Sequence, residues 1–191
     1  MGGKMIIGIK KIFACVEGSN GMGKTTVLKL LSNKYHLRTS KSVPEWFRSY
    51  ITEVRKLSLE QEYKLYEAAH IAEIMNKTDD RIYIYDRGIY STIIRIFYKS
   101  GKSVNEVLEY IVNLEIVPEL ALILQCGKDV CYARRDGNIR FDDIFFEYEN
   151  AVYDSMIKTM DNCRKIDADQ EPLLVADDIY RCIEEEFGEI I

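Results

Sequence analysis

A short glycine-rich segment carries the residue pattern best suited to chemistry. Residues 18–25 read Gly-Ser-Asn-Gly-Met-Gly-Lys-Thr, a complete G-x-x-x-x-G-K-[ST] phosphate loop. The segment follows an apolar run and opens an amphipathic stretch, so it would join a strand to a helix, as the motif requires. Its glycines would let the backbone curl so that N–H groups point at phosphate oxygens. The pattern indicates a nucleoside triphosphate site, and a flexible glycine turn is the alternative.

The motif also assigns tasks to individual side chains. Lys24 is expected to reach the β- and γ-phosphates, and Thr25 to offer its hydroxyl to Mg²⁺. The N-terminus of the following helix would add a partial positive charge. The residues expected to hold ATP are Gly18, Ser19, Asn20, Gly21, Met22, Gly23, Lys24, Thr25 and Thr26.

An acidic residue and an arginine stand at the end of a later apolar run. Asp86 and Arg87 directly follow Tyr83-Ile84-Tyr85. In a parallel sheet this position lies beside the phosphate loop, where Asp86 could bind Mg²⁺ directly or through water. Arg87 could grip a second anion at two points. A turn with a surface ion pair is the alternative, and the upstream phosphate loop favours the functional interpretation.

A basic segment precedes a long predicted helix. Arg134, Arg135 and Arg140 fall within seven residues, around an Asp-Gly turn. Phosphoryl transfer builds negative charge on the transferred group, and arginines closing over it would neutralise that charge and exclude water. We therefore predict a lid at about residues 131–141. A solvated basic turn would have the same composition.

Residues 43–48 form a segment rich in aromatic residues, which is the fourth candidate site. Glu45 could accept a proton from a hydroxyl group or contact a sugar, and Arg48 could bind a phosphate. Pro44 and Trp46 would stiffen this segment. A surface loop packed by Trp46, with both charges in solvent, explains the same residues equally well.

Apolar runs alternate with helical patterns along the chain. This rhythm predicts right-handed βαβ units and a parallel sheet with helices on both faces. Ligands bind at the carboxyl ends of strands in such sheets. The predicted strands are 12–17, a weak one at 37–43, 81–85, 120–125 and 164–166, and the predicted helices are 24–35, 59–76, 90–99, 104–114, 142–160 and 175–187.

The composition is typical of a soluble globular protein. A chain of 191 residues predicts a single domain, residues 1–191. Its net charge of −5 argues against broad nucleic-acid binding. No apolar run approaches the ~20 residues of a membrane span. The five cysteines lack C-x-x-C spacing, so we expect reduced thiols and a cytoplasmic location.

In their joint order, these segments resemble the thymidylate kinase family and its relatives, the deoxynucleoside kinases. The segment 16–26 resembles the family's opening strand and loop. Asp86, Arg87 and Ser91 fit its D-R-Y/H-x-x-S signature, and 118–122 resembles its P-D-L strand. Two further segments are similar, the lid ending in Arg140-Phe141-Asp142 and the turn 166–170.

The resemblance implies an α/β fold: a three-layer α/β/α P-loop NTPase kinase domain. Its five-stranded parallel sheet would have the order 2-3-1-4-5, with Mg·ATP over the phosphate loop. The family carries an arginine at the end of an F-x-x-x-R helix motif, and His70 aligns with that arginine in this chain. His70 could line a base pocket, or it could be a partly buried histidine of an ordinary helix. The residues that would bind the acceptor are Glu45, Arg48, Tyr66, His70, Arg87 and Ser91.

Two classes of acceptor remain open at this point. A nucleoside monophosphate presents an oxygen that is already anionic, so it needs cations such as Arg48 and Arg87 rather than a base. A nucleoside 5′-hydroxyl gains from a positioned carboxylate such as Glu45. The lid and the carboxyl-terminal third favour a monophosphate. The predicted reaction is therefore ATP-dependent phosphorylation of dTMP to dTDP, with a deoxynucleoside kinase as the alternative.

Two further interpretations concern activity and assembly. Asn20 stands where the family usually has a charged residue, and Ile94-Arg95-Ile96 replaces its A-Y-Q. A catalytically inactive ATP-binding paralogue would show such changes. The family is commonly dimeric, so the apolar faces of 59–76 and 90–99 could form a homodimer interface or serve as ordinary core.

Overall fold

A parallel sheet forms the centre of the protein. The computed structural model describes residues 13–77, 82–134 and 143–188. The sheet order is β2-β3-β1-β4-β5, and every pairing is parallel, which confirms the predicted topology. The strands are β1 Phe13–Glu17, β2 Arg38–Lys41, β3 Tyr83–Asp86, β4 Leu120–Gln125 and β5 Cys163–Asp167.

Helices connect the strands and cover both faces of the sheet. Three of them, α2, α3 and α7, fall in segments for which the sequence predicted no helix. The helices are α1 Lys24–Tyr35, α2 Glu45–Arg48, α3 Ile51–Val54, α4 Leu59–Met75, α5 Ile89–Lys99, α6 Val104–Val112, α7 Lys128–Ala133, α8 Asp143–Thr159 and α9 Pro172–Phe187.

The two faces of β1 lie in two different hydrophobic cores. Ala14 and Val16 pack with α1 and α9, whereas Phe13 and Cys15 pack with α5, α6 and α8. This division follows from the two-residue period of a strand. Because both faces are covered, the strand is apolar almost throughout, and its last residue, Glu17, is a fully buried carboxylate.

Local sequence accounts for several helix starts. Ser58 and Ser103 form capping boxes with Gln61 and Glu106, in which each side chain bonds the other residue's backbone N–H group. Pro172 occupies the first turn of α9, where its missing N–H group costs nothing. These local rules place α4 and α6 at their predicted starts. α9 begins three residues earlier than predicted, at its proline.

A small third cluster joins α2 and α3 to α4. Phe47, Val54, Tyr66 and Ala69 are buried together. This packing orders a segment that local propensity alone would leave as a loop. Three isoleucines of α5, Ile89, Ile93 and Ile94, belong to the core that α5 forms with α6, α8 and the sheet. The homodimer therefore stays a prediction, and the buried face of α5 is already occupied.

Candidate nucleotide-binding site

The loop between β1 and α1 has the backbone of a phosphate cradle. Gly18, Gly21 and Gly23 have positive φ angles of 128°, 91° and 84°, which residues with side chains rarely adopt. A Cβ atom at Gly18 would lie 2.5 Å from the carbonyl oxygen of Leu124. The cap of α1 has no side-chain hydrogen bond and its first turn has no acidic residue. This helix end therefore presents N–H groups and partial positive charge to an anion.

Lys24 is held against the inside of the loop. Its Nζ atom donates hydrogen bonds of 2.7 Å to the carbonyl oxygens of both Gly18 and Ser19. Burial, and secondarily the Arg87 guanidinium, lowers the pKa of Lys24 to about 7, although nearby carboxylates oppose the shift. Bound phosphates would favour the charged amine. We therefore expect Lys24 to gain a proton when a polyphosphate binds.

A cavity of about 580 Å³ lies over the loop. Of the predicted ATP-binding residues, those from Asn20 to Thr26 line it, whereas Gly18 and Ser19 do not. Its other walls come from the β3–α5 turn, the end of α7 and the β5–α9 turn. The lining residues outside the loop are Val27, Asp86, Arg87, Arg134, Ala168, Gln170, Pro172 and Val175. Three of the four candidate segments, far apart in sequence, thus converge with the β5–α9 turn on one cavity, and the Glu45–Arg48 segment does not line it.

Two oxygen donors in this cavity suit a magnesium ion. Thr25 and Asp86 both line it, and Lys41 forms an ion pair with the Asp86 carboxylate. Mg²⁺ is usually bound by one or two carboxylates together with substrate phosphates. A hydroxyl and a carboxylate beside a phosphate loop match that donor set. The residues present therefore fit the ion that the sequence predicted.

Arg87 is anchored to the phosphate loop. It is one of the two non-glycine residues with a positive φ in the described ranges, at 70°. Its guanidinium donates to the Gly18 carbonyl at 3.2 Å and to Asn20 Oδ1 at 2.5 Å. Asn20, which departs from the family pattern, is therefore a partner of this arginine. The two contacts hold one cation at the border between the loop and the β3–α5 turn.

Sequence analysis missed two buried carboxylates beside the loop. Glu149 of α8 accepts a 2.6 Å hydrogen bond from Ser19 Oγ, and Asn150 Nδ2 donates to the same hydroxyl at 3.2 Å. Glu17 accepts hydrogen bonds from the start of α5 and from Tyr153. Glu17 lies in a strand and Glu149 in a helix, where their sequence neighbours give no indication of a role.

The predicted lid is only partly within the described residues. Arg134 lines the cavity and donates a 2.7 Å hydrogen bond to the carbonyl of Ala168, which ties it to the β5–α9 turn. Arg135 and Arg140, with most of the predicted lid 131–141, lie outside the described residues. Their roles stay predictions.

The predicted acceptor segment is a short helix on the surface. Glu45 and Arg48 form an ion pair of 2.9 Å within α2, and the Glu45 side chain is 87% exposed. Neither residue lines the 580 Å³ cavity. Phe47, between them in sequence, is buried with its ring centroid 5.1 Å from that of Tyr66. The segment is thus fixed to α4 through Phe47 while both charges face solvent.

A buried ion pair lies beside Tyr66. Arg95 of α5 donates a 2.8 Å hydrogen bond to Glu62 of α4, whose side chain is 1% exposed. The Arg95 guanidinium also lies 5.5 Å from the centroid of the Tyr66 ring. Arg95, which lies where the family pattern has A-Y-Q, has Glu62 as its nearest charged partner in the described structure. The spacing within α4 gave no indication of that pairing.

Two predicted acceptor residues are turned inward. His70 is buried, its Nδ1 lies 2.7 Å from the Ser42 carbonyl, and its ring packs edge-on against Phe13 and Tyr85. Burial lowers the pKa of His70. Ser91 is also buried and donates its backbone N–H to Glu17 at 3.3 Å. Their described contacts are with the protein core, the alternative that sequence analysis gave for His70.

The chain is similar to nucleotide kinases in sequence and in fold. The family model for thymidylate kinase matches residues 16–179. A thymidylate kinase from Candida albicans superposes with a TM-score of 0.70 at 21% identity, covering 93% of this chain and 92% of that chain. Deoxyadenosine kinase from M. mycoides with bound dATP gives a TM-score of 0.63 at 15% identity, covering 91% and 100%. At these identities the two structures establish the fold alone.

Two other comparisons limit what can be transferred. The same M. mycoides kinase, solved with dCMP and dCDP as products, gives a TM-score of 0.61 at 16% identity, covering 91% of this chain and 100% of that one. No curated protein matches the sequence.

None of the helices in residues 13–77, 82–134 and 143–188 combines the length and apolar content that a membrane span needs.

Proposed function

The chain belongs to the thymidylate kinase family of nucleotide kinases, and we propose that it transfers the γ-phosphoryl group of ATP to a deoxynucleoside monophosphate, dTMP foremost. One observation carries the proposal. Lys24, the adjacent pair Asp86 and Arg87, and Arg134 come from three separate segments and line a single cavity over the phosphate loop. Such an arrangement supplies positive charge and metal-binding oxygen atoms at one place, which is what phosphoryl transfer requires.

The donor side of the proposed reaction uses the loop. Backbone N–H groups of the loop and of the α1 N-terminus would hold the β- and γ-phosphates, with Lys24 between them. Thr25 and Asp86 would hold Mg²⁺, which supplies charge neutralisation at the phosphates when bound. Ala168, Gln170 and Pro172 form the wall of the cavity that comes from the β5–α9 turn and the start of α9. This wall is suited to the adenine end of the donor.

The acceptor side uses Arg87. A phosphate oxygen of dTMP would form a bond to the γ-phosphorus while the bond from that phosphorus to the β–γ bridging oxygen breaks, leaving ADP and dTDP. No base is needed, because the attacking oxygen is already anionic. Arg87 would align the acceptor phosphate, and Arg134 would neutralise charge on the transferred group.

An acceptor panel tests the proposal. ADP release with Mg·ATP would be measured with dTMP, dCMP, dAMP, dGMP and the matching nucleosides. We expect turnover with monophosphates, strongest with dTMP, and its loss in Lys24→Ala. Lys34→Ala is the matched control, because Lys34 lies on α1 in a surface ion pair with Asp177 that is worth little. ATP binding without turnover on any acceptor would instead support the inactive paralogue.

The deoxynucleoside kinase remains the second candidate because of Glu45. Its carboxylate is exposed at the start of α2, which packs on Tyr66 through Phe47. If nucleosides are the preferred acceptors, Glu45→Gln should reduce kcat by about 10²–10⁴-fold, as loss of a general base does. If monophosphates are preferred, the same change should leave kcat within about twofold. Arg48→Gln, which removes the other half of the ion pair, is the control.

A further inference from the structure

A fully buried carboxylate links the phosphate loop to the turn that carries Arg87. Glu17 is the last residue of β1 and directly precedes Gly18. Its Oε1 accepts hydrogen bonds from the backbone N–H groups of Gly88 at 2.8 Å and Ser91 at 3.3 Å. Its Oε2 accepts a 3.2 Å hydrogen bond from the Tyr153 hydroxyl. Both carboxylate oxygens are therefore used, by two different helices.

The turn around Arg87 is shaped to meet this carboxylate. Arg87 donates its backbone N–H to Val16 at 3.1 Å and its guanidinium to Gly18 at 3.2 Å, so it contacts both neighbours of Glu17. A Cβ atom at Gly88 would lie 3.2 Å from Glu17 Oε1 and 3.1 Å from Cys15 Sγ. Gly88 and the carboxylate thus fit closely. A side chain at position 88 would displace one of them.

The carboxylate also lies at a favourable end of α5. The first turn of a helix carries N–H groups without intrahelical partners and a partial positive charge, and an anion stabilises both. Tyr153 comes from α8, whose Glu149 holds Ser19 of the loop. Glu17 therefore contacts α5 and α8, and α8 in turn contacts the loop.

We propose that Glu17 is a positioning residue: its carboxylate holds the Arg87–Gly88 turn against the phosphate loop, so that Arg87 meets the acceptor phosphate at the right place. This inference rests on the proposed function. A purely apolar residue would avoid the cost of burying a charge. The placement of Arg87 gives a reason for a carboxylate at this point.

Protonation of Glu17 gives the inference its own measurable signature. Burial raises the pKa of Glu17 to about 7, with Arg87 the strongest opposing influence. The charged form accepts the N–H groups more strongly, so the turn is held best above pH 7. We expect the acceptor KM to rise as pH falls through 7. The titratable groups facing Glu17 are Lys24, Arg87, Tyr90, Tyr153, Cys15 and Cys163.

Stability should move in the opposite direction from acceptor binding. A carboxyl whose pKa is raised on folding contributes most stability at low pH, and this contribution is lost as pH rises through 7. Glu17→Gln resembles the protonated form. Its melting temperature at pH 8 should therefore be no lower than that of the wild type. If the carboxylate served only to stabilise the fold, Glu17→Gln would instead lower the melting temperature at pH 8.

The test compares acceptor and donor kinetics of Glu17→Gln with the wild type from pH 6 to 9. We expect the dTMP KM at pH 8 to rise about tenfold, since bonds to a charged group become neutral ones. The ATP KM should stay within about twofold. The pH dependence of the dTMP KM should flatten. The second ionisation of the dTMP phosphate, near pH 6, affects both proteins alike, so the difference between their profiles isolates Glu17.

Two other variants complete the experiment. Glu73→Gln is the matched control, because Glu73 is a buried carboxylate of α4 bonded to Ser40 and Lys77. Tyr153→Phe removes one donor and should move the pH transition upward while keeping the carboxylate. Equal losses for ATP and dTMP, or an unchanged pH profile, would overturn the inference. A wild type without acceptor turnover at any pH would instead overturn the proposed function, and this inference with it.

Discussion

Ser19 in the phosphate loop donates a 2.6 Å hydrogen bond to Glu149 of α8, 130 residues further along the chain. Both side chains are buried. The Glu149 carboxylate therefore fixes the loop to α8, in addition to the loop's own glycine geometry. In sequence, α8 begins at Asp143, two residues after the predicted lid segment 131–141 ends.

Removal of this hydrogen bond should weaken donor binding. Ser19→Ala would leave the Glu149 carboxylate without its shortest bond, at a cost of about 1.5–3 kcal/mol. We expect a lower melting temperature and a several-fold higher Kd for ATP, measured by calorimetry. Ser155→Ala is the control, since Ser155 lies on α8 like Glu149 and donates its hydroxyl to the Ala151 carbonyl one turn back. A similar loss in both variants would contradict a special role for Ser19.

ATP binding should be accompanied by proton uptake at Lys24. The pKa of this amine is lowered to about 7, so the amine is largely neutral at pH 8 and would be charged beside bound phosphates. Titration calorimetry at pH 8, in buffers of different ionisation enthalpy, should reveal uptake approaching one proton per ATP. The uptake should fall towards zero by pH 6. Uptake that persists in Lys24→Arg, whose guanidinium stays charged, would assign the proton to another group.

Gly18→Ala should be among the more damaging single-methyl changes in the chain. The new Cβ would meet the Leu124 carbonyl at 2.5 Å, and the φ of 128° is unsuited to alanine. We expect a loss of about 3 kcal/mol, or roughly 6–12 °C in melting temperature for a domain of this size. Gly101→Ala is the control, since its φ is also positive but an added Cβ atom would have no described atom within 4 Å apart from those of its chain neighbours. That change should cost about 1 kcal/mol.

The Arg95–Glu62 pair should show strong coupling. Arg95→Leu would leave a buried carboxylate, whose nearest remaining cation is Lys99 at 3.9 Å. Because Arg95 is 21% exposed, we expect a cost of about 2–3 kcal/mol, below the usual range for a buried pair.

The double change Glu62→Leu with Arg95→Leu should be less damaging than Arg95→Leu alone. Urea unfolding of the four proteins in this cycle measures the coupling. Additive losses would show that the two charges do not depend on each other.

Local rules were sufficient for the five strands, for six of the nine described helices and for the core of the nucleotide site. The phosphate loop is a contiguous motif whose function depends on backbone shape, so glycine spacing and one lysine identify it. The alternation of strands and helices predicted the parallel sheet, and the family resemblance implied its order. Convergence of Asp86 and Arg87 on the loop followed, because the carboxyl ends of neighbouring parallel strands share one edge.

The tertiary structure alone decided which charged side chains support the site and which face solvent. Glu17 and Glu149 became supports through partners up to 136 residues away, and such pairings leave no trace in local spacing. Packing of Phe47 on Tyr66 turned a predicted loop into α2 and left Glu45 exposed, while His70 was buried by Phe13 and Tyr85. Burial depends on which surfaces come into contact when the helices pack on the sheet. The residue types along the chain do not by themselves specify which surfaces those are.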